Sequence, residues 1–243
     1  MSPIPARTDA HDAGVGLVEM VTTVALLGVV MAVVMAGVVA FTRLSSGTEQ
    51  RMQNLEEART IMGVVVRDLR TATPATASGT RTAAFVTALP TEAVFYANRR
   101  SSSPGSPTDP TLPVSAAPMQ VRLFLEADPG NTARSRLVEE VTQPSGSGNN
   151  ITWPSGNTRR RVIGVDILNA ATTGNALFCY DDAAAAVSPP AETTFCTATT
   201  TPAVDDIANV RVRLQVQRSG TTAVSVLTSS VWLPNVAAEE VSL

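Results

Sequence analysis

The sequence contains no lysine, one histidine and two cysteines, and only 4% of its residues are aromatic. The cysteines do not form a Cys-x-x-Cys motif and no histidine lies near them, which argues against a metal site. Gly146 and Gly148 lie among Ser and Asn with no strand-to-helix context, so no phosphate-binding glycine loop is present. The net charge of −3 is too small to indicate a nucleic-acid binder or a polyacidic surface.

The most informative segment is a run of 23 uncharged, mainly apolar residues, Met20–Thr42, directly preceded by Glu19. At about 1.5 Å per residue a helix of this length covers about 35 Å, enough to cross a hydrocarbon core of about 30 Å. The run is longer than the usual signal-peptide core of about 7–15 residues. Without Glu19, an uncleaved membrane anchor would be the preferred interpretation. Placing a carboxylate at membrane depth costs about 2.5–3.5 kcal/mol on insertion scales. An ionisable residue in such a segment is therefore a candidate functional residue.

The residues around Glu19 resemble the N-terminus of type IV prepilins and pseudopilins. Gly14 takes the place of the glycine that ends the family's leader, and Val15 becomes the first mature residue. Leu17-Val-Glu-Met20 follows the family's Leu-Ile-Glu-Leu core, and Ala25-Leu-Leu-Gly28 matches its Ala-Ile-Ile-Gly stretch. The resemblance implies that a prepilin peptidase cuts between Gly14 and Val15 and that the new amine is methylated.

The chemistry of Glu19 can be argued from charge alone. Cleavage before Val15 would place a cationic amine in the same low-dielectric layer, where paired charges largely cancel. The amine and Glu19 could pair within one chain, or Glu19 of an entering subunit could neutralise the amine of its neighbour during filament assembly. The competing interpretation is a carboxylate near the interface that reaches water and has no role.

Beyond residue 42 the pattern predicts a second helical half and then a β-rich head. Leu55, Ala58, Met62, Val65 and Leu69 follow a 3-4-3-4 spacing that gives one apolar helix face, and Thr71-Ala-Thr-Pro74 supplies a stop. The sequence therefore predicts an α+β, pilin-like fold with a long N-terminal helix packed on an antiparallel sheet. The expected divisions are a leader (1–14), a membrane and filament-core helix (15–42), its amphipathic continuation (43–73) and the head (74–243). The predicted strands are Ala83–Leu89, Ala93–Ala97, Gln120–Glu126, Arg136–Thr142, Arg161–Leu168, Ala176–Tyr180, Val210–Gln217 and Ala223–Leu233.

Short matches in the second half resemble one branch of the family. Val66-Arg-Asp-Leu-Arg70 is similar to the Arg-Asp-Leu-Arg signature of J-type minor pseudopilins and W-type minor pilins. Ala176–Asp181 resembles their Leu-Phe-x-Tyr strand, and Ile207–Leu214 with Ser230–Asn235 resembles their closing hairpin. Cys179 and Cys196 are expected to form a disulfide outside the cytoplasm, as loop-closing disulfides near the C-terminus recur in pilin-like proteins.

Three further groups of residues have alternative interpretations. Asp181-Asp182 and Asp205-Asp206 could offer oxygen ligands to calcium, although solvated turn acids are favoured. Arg159-Arg160-Arg161, with Trp153 nearby, could contact a DNA backbone, although a solvated strand edge is favoured. His11 lies in the expected leader, so the mature chain would have no histidine for a catalytic triad or a metal site. We therefore expect no catalysis, no cofactor and no metal.

The sequence as a whole predicts a minor pilin or pseudopilin, stored in the cytoplasmic membrane by one pass with an extracytoplasmic head, and moved to a cell-surface filament on assembly. Its implied partners are the prepilin peptidase, other pilin or pseudopilin subunits and the inner-membrane assembly platform. The alternative is an uncleaved, signal-anchored surface protein whose head binds a ligand or the cell wall. Flp-type pilins fit less well because Tyr usually follows their Glu, and here Met20 follows.

Overall fold

A computed structural model describes residues 16–77, 80–98, 117–146, 150–170, 175–182, 195–196, 202–219 and 223–234. It consists of one long N-terminal helix followed by antiparallel strands. The elements are α1 (Leu17–Arg70), β1 (Ala75–Ala77), β2 (Thr80–Thr82), β3 (Phe85–Leu89), β4 (Glu92–Ala97), β5 (Met119–Asp128), β6 (Asn131–Thr142), a 3₁₀ turn (Ser155–Asn157), β7 (Thr158–Ile167), β8 (Phe178–Asp182), β9 (Ile207–Val216) and β10 (Ser225–Trp232). The α+β composition expected from the sequence is confirmed.

The chain divides into two compact units, Met1–Glu49 and Gln50–Leu243. The described part of the first unit is the N-terminal half of α1. In it every residue from Gly16 to Thr42 is exposed, and α1 is long and apolar enough to cross a membrane. At the start of the helix, Glu19 N and Met20 N both donate to Gly16 O.

The second unit contains an eight-stranded antiparallel sheet in the order β10-β9-β7-β6-β5-β4-β3, with β8 also paired to β9. The two short strands β1 and β2 form a separate hairpin. Three pairs of strands that follow one another in the predicted list form antiparallel hairpins: β3 pairs with β4, β5 pairs with β6 across the Asp128–Asn131 turn, and β9 pairs with β10. Their alternating side chains and their Pro, Gly and Asn turns are local signals, which is why the sequence located them.

The second half of α1 supplies one side of the core. Its buried face contains Ala58, Met62, Val65 and Leu69 of the predicted stripe, together with Ile61, and Leu55 is half-buried at the margin. These side chains join one cluster with the inward residues of the sheet, such as Phe85, Phe95, Leu123, Leu137 and Leu214. α1 ends at Arg70, and the chain then enters the sheet, where Thr73 N donates to Tyr96 O. The second half of α1 is therefore a core element of the head.

Candidate functional site

From Leu17 to Thr42, α1 presents an apolar surface with a single charge. From Leu17 to Phe41 the large apolar side chains are 48–82% exposed, so no side of this helical segment is buried within the chain. Glu19, in the first turn, is the one charged residue between Leu17 and Thr42. The hydroxyls of Thr22 and Thr23 donate to the backbone carbonyl of Glu19 at 3.0 and 2.9 Å, which satisfies polar atoms inside the helix.

The expected processing residues, Gly14 and Val15, lie outside the described residues. The expected cleavage between them therefore remains a prediction. Among the described residues the carboxylate of Glu19 has no partner cation on its own helix before Arg43, which lies more than 20 residues further along. An anion near a helix N-terminus is favoured by the helix dipole by about 0.3–1 kcal/mol.

The head has a buried ionic cluster at the disulfide. Cys179 in β8 is bonded to Cys196, with the two Cα atoms 5.7 Å apart. Two residues along β8, the carboxylate of Asp181 accepts two hydrogen bonds of 2.8 Å from the guanidinium of Arg211. The Asp181 side chain is 7% exposed and that of Arg211 is 14% exposed. Asn209 donates a third hydrogen bond to Asp181 at 3.0 Å.

This geometry corrects the interpretation of Asp181 as a solvated turn acid. Asp181 is a strand residue whose oxygens are already bound by Arg211 and Asn209, and a cation there would displace a buried guanidinium. Asp205 and Asp206, in contrast, are exposed turn residues as the sequence indicated. In the described ranges no group of three or more potential metal ligands comes together.

The three arginines of β7 do not form one basic patch. Strand alternation and the register Glu139↔Arg161 and Glu140↔Arg160 direct Arg160 and Arg161 to opposite faces of the sheet. Arg160 forms ion pairs with Glu126 and Glu140, and Arg161 forms one with the buried carboxylate of Glu139. Trp153, expected as an aromatic partner, instead packs on Tyr96 with ring centroids 4.5 Å apart and donates to Pro118 O. Arg160 and Arg161 are therefore paired with carboxylates on opposite faces of the sheet.

Two acidic groups that the sequence analysis did not single out lie at the interface between α1 and the sheet. The Asp68 and Glu139 side chains are 1% and 2% exposed, and their charges act on Arg161, whose pKa is raised mainly by its hydrogen bond to Glu139. Asp68 belongs to the Arg-Asp-Leu-Arg match, so a signal was present. Its burial, however, depends on the position of the sheet above α1, which no local pattern gives.

A second polar contact joins α1 to the segment after β9, which is itself hydrogen-bonded to residues at the ends of β6 and β7. Arg134 donates to Asp166 at 2.9 Å, and Arg218 donates to Gln53 on α1 at 2.7 Å. Asp166 has a positive φ of 57°, a conformation that Asp tolerates better than most residues. Burial, followed by the charge of Asp166, raises the pKa of Glu57 on the same part of α1. Of these hydrogen bonds, the one between Arg218 and Gln53 reaches the helix directly.

Comparisons with protein-family models, with curated proteins and with solved structures found no match to this chain. The functional interpretation therefore depends on the chain's own residues, above all on the exposed apolar segment of α1 from Leu17 to Thr42 and its single carboxylate.

Proposed function

We propose that this protein is a minor pilin or pseudopilin, a structural subunit of a type IV pilus or a type II secretion-like filament. The observation that carries the proposal is the apolar surface around the whole circumference of α1 from Leu17 to Phe41, with Glu19 as its single charge. An exposed apolar surface of this extent marks a site that contacts a membrane or another protein. Lipid would provide that contact in the membrane, and the helices of neighbouring subunits would provide it in a filament.

The charge of Glu19 gives this helix a means of selecting its neighbours. In the proposed mechanism a prepilin peptidase cuts between Gly14 and Val15, which creates a cationic α-amine next to the apolar segment. Glu19 of an entering subunit then pairs with the amine of the subunit already in place. Because either charge alone is costly in a low-dielectric layer, correct pairing would favour release from lipid into the filament.

The head fits a subunit that functions outside the cytoplasm. A disulfide between Cys179 and Cys196 persists in oxidising compartments and is rare in reducing ones. The buried pair of Asp181 and Arg211 next to it stabilises the β8–β9 region rather than exposing reactive groups. These features support a structural role for the head.

The first test is N-terminal sequencing, together with intact mass, of the protein purified from its native membranes. We expect a chain that starts at Val15, with or without one added methyl group. A start at Met1 would instead support the alternative, a signal-anchored surface protein, which the length and apolar character of α1 would also permit. A start beyond Phe41 would remove both the filament and the anchor hypotheses.

The second test separates cleavage from assembly. We expect Glu19→Ala to be cleaved normally but to be lost from the filament fraction, measured by immunoblot of sheared or cross-linked filaments. Glu56→Ala is the matched control, because it removes an exposed carboxylate from the same helix outside the apolar segment. Incorporation of Glu19→Ala at the level of Glu56→Ala would contradict the assigned role of Glu19.

A further inference from the structure

Within the part of the chain that the structure describes, strand β10 lies at an edge of the eight-stranded sheet. It pairs with β9 along its whole length and with no other strand among the described residues. The opposite end of the sheet is different, because the turn after β3 approaches β8, where Leu177 N and Phe178 N both donate to Pro90 O. The β10 edge is therefore the place where another strand could join the sheet.

The backbone groups on this edge can be assigned from one hydrogen bond. Leu233 N donates to Ala208 O at 3.0 Å, which makes Leu233 and Ala208 a hydrogen-bonded pair of the antiparallel ladder. Because such pairs alternate along an antiparallel ladder, the odd-numbered residues of β10 bond to β9 and the even-numbered ones point their N–H and C=O groups outward. The outward residues are Val226, Thr228, Ser230 and Trp232. In the described part of the chain no backbone hydrogen bond joins them to a further segment.

The composition of β10 lacks the usual protection of an edge strand. Natural edges are commonly blocked by charged side chains, proline or a bulge. The sequence Ser225–Trp232 contains no charged residue and no proline, and its register with β9 is unbroken over eight residues. The side chains of Val226 and Trp232 are 46% and 47% exposed. The edge is long, regular and uncharged, which is the form that pairs with another strand.

We propose that β10 pairs antiparallel with β10 of a second copy of this chain, which joins two heads through one continuous sheet. With a two-fold axis at Ser229, every outward residue of β10 is paired with an outward residue of the second strand. Val226 faces Trp232 of the partner subunit, and Thr228 faces Ser230 of the partner subunit. Apolar side chains then meet apolar ones and hydroxyls meet hydroxyls, as favourable cross-strand pairs require. Two identical strands without charge also approach with no like-charge repulsion between them, and the isologous contact closes as a dimer.

This register adds about eight backbone hydrogen bonds, two for each of the four hydrogen-bonded pairs. It also places the two Ser229 residues opposite each other as a non-hydrogen-bonded pair, with Cα atoms about 4.5 Å apart. That separation lies within the range of about 4.4–6.8 Å that a disulfide can bridge. The proposal is independent of the proposed filament function, since it concerns the edge of the head and not the apolar helix.

The test uses the full chain in detergent micelles or nanodiscs under mild oxidation. We expect Ser229→Cys to form a covalent dimer, seen on a non-reducing gel, and Thr228→Cys not to do so because its Cα faces Ser230 of the partner subunit. An equal mixture of Thr228→Cys and Ser230→Cys chains should form the covalent dimer again. If Ser229→Cys fails to cross-link, or if Thr228→Cys cross-links as readily, the proposed register is wrong.

A second measurement, sedimentation of the uncross-linked chain, tests the edge itself. Thr228→Pro removes an outward N–H without removing a bond to β9, and we expect it to weaken the dimer by at least about tenfold, or about 1.4 kcal/mol. Thr228→Val keeps the N–H and should leave the dimer unchanged. If Thr228→Pro does not fold, Thr228→Lys takes its place, because the two lysines would lie diagonally across the axis on the same face of the sheet, close enough to repel each other. A chain that is monomeric, or a dimer that both Thr228→Pro and Thr228→Lys leave intact, would overturn the proposal.

Discussion

The contact between α1 and β7 at Gly164 gives the sharpest prediction about the head. Gly164 is buried, and a Cβ atom at this position would lie 2.5 Å from Cδ1 and 3.0 Å from Cγ1 of Ile61, with Cδ1 of Ile167 at 3.4 Å. Ile61 is itself 2% exposed, so it has little room to turn away. We therefore expect Gly164→Ala to lower the free energy of unfolding by about 1–3 kcal/mol, the usual cost of overpacking a core.

Cδ1 of Ile61 is the atom closest to the added Cβ, and a second substitution can test its role. Ile61→Val removes Cδ1 and alone should cost about 0.5–1.5 kcal/mol. In the Gly164→Ala background the same change should relieve the overlap, so the double variant should be more stable than the sum of the single effects predicts, by about 1 kcal/mol or more. Strictly additive losses, within about 0.3–0.5 kcal/mol, would refute the proposed overlap.

The assay is urea unfolding of the full chain in detergent, followed by tryptophan fluorescence. Both tryptophans, Trp153 and Trp232, belong to the head, so the signal reports on the unit that contains the contact. Gly63→Ala is the matched control, since Gly63 is an exposed helical residue with nothing within 4 Å of an added Cβ. That change should raise stability by up to about 1 kcal/mol through helix propensity. If Gly164→Ala lowers the free energy of unfolding and Gly63→Ala raises it, the difference is due to the packing around the two glycines.

Two further predictions concern charged groups of the head. Asp181→Ala should cost about 3–5 kcal/mol in the same assay, because it leaves the buried guanidinium of Arg211 without its carboxylate, and adding Arg211→Met should recover most of that loss. For Glu57, burial raises the carboxyl pKa above its ordinary value of 4.5, so the folded state retains the proton to higher pH than the unfolded state does. The free energy of unfolding of the wild type should therefore fall as the pH rises from 4.5 through the raised pKa of Glu57. Over the same pH range the stability of Glu57→Gln, measured by urea unfolding, should increase relative to that of the wild type. A stability difference that does not change with pH would contradict the assignment.

The helix and the main hairpins of this fold were predictable because their signals are local. The stripe of α1 depends on helical periodicity alone, and the β5–β6 turn follows from Asp128-Pro-Gly-Asn131, where Gly130 N donates to the Asp128 side chain at 2.9 Å. The hairpin of β1 and β2 was not predicted, since strands of three residues are too short to show an alternating pattern.

The ionic contacts were not predictable because they depend on register between strands distant in sequence. Arg159-Arg160-Arg161 is a basic run in the sequence, but pairing with β6 directs Arg160 and Arg161 to different carboxylates on different faces. Asp181 is next to Asp182 in an acidic pair, yet its environment is set by Arg211, 30 residues away. A run of like charges in a strand therefore predicts a charged surface only when the residues that face it on the neighbouring strand are also known.

The carboxylate of Glu19 has a local explanation as well as the proposed one, and magnitudes distinguish them. Its position in the first turn of α1 gains about 0.3–1 kcal/mol from the helix dipole, less than the cost of about 2.5–3.5 kcal/mol for a charge at membrane depth. A cation on a neighbouring subunit would offset the remaining cost, but only if it lies at the same depth in the membrane as the carboxylate. We therefore expect Thr23→Glu, which moves the carboxylate one turn along the same face, not to restore filament incorporation in the Glu19→Ala background. Restoration would mean that any carboxylate in this region suffices and that pairing with a specific amine is not required.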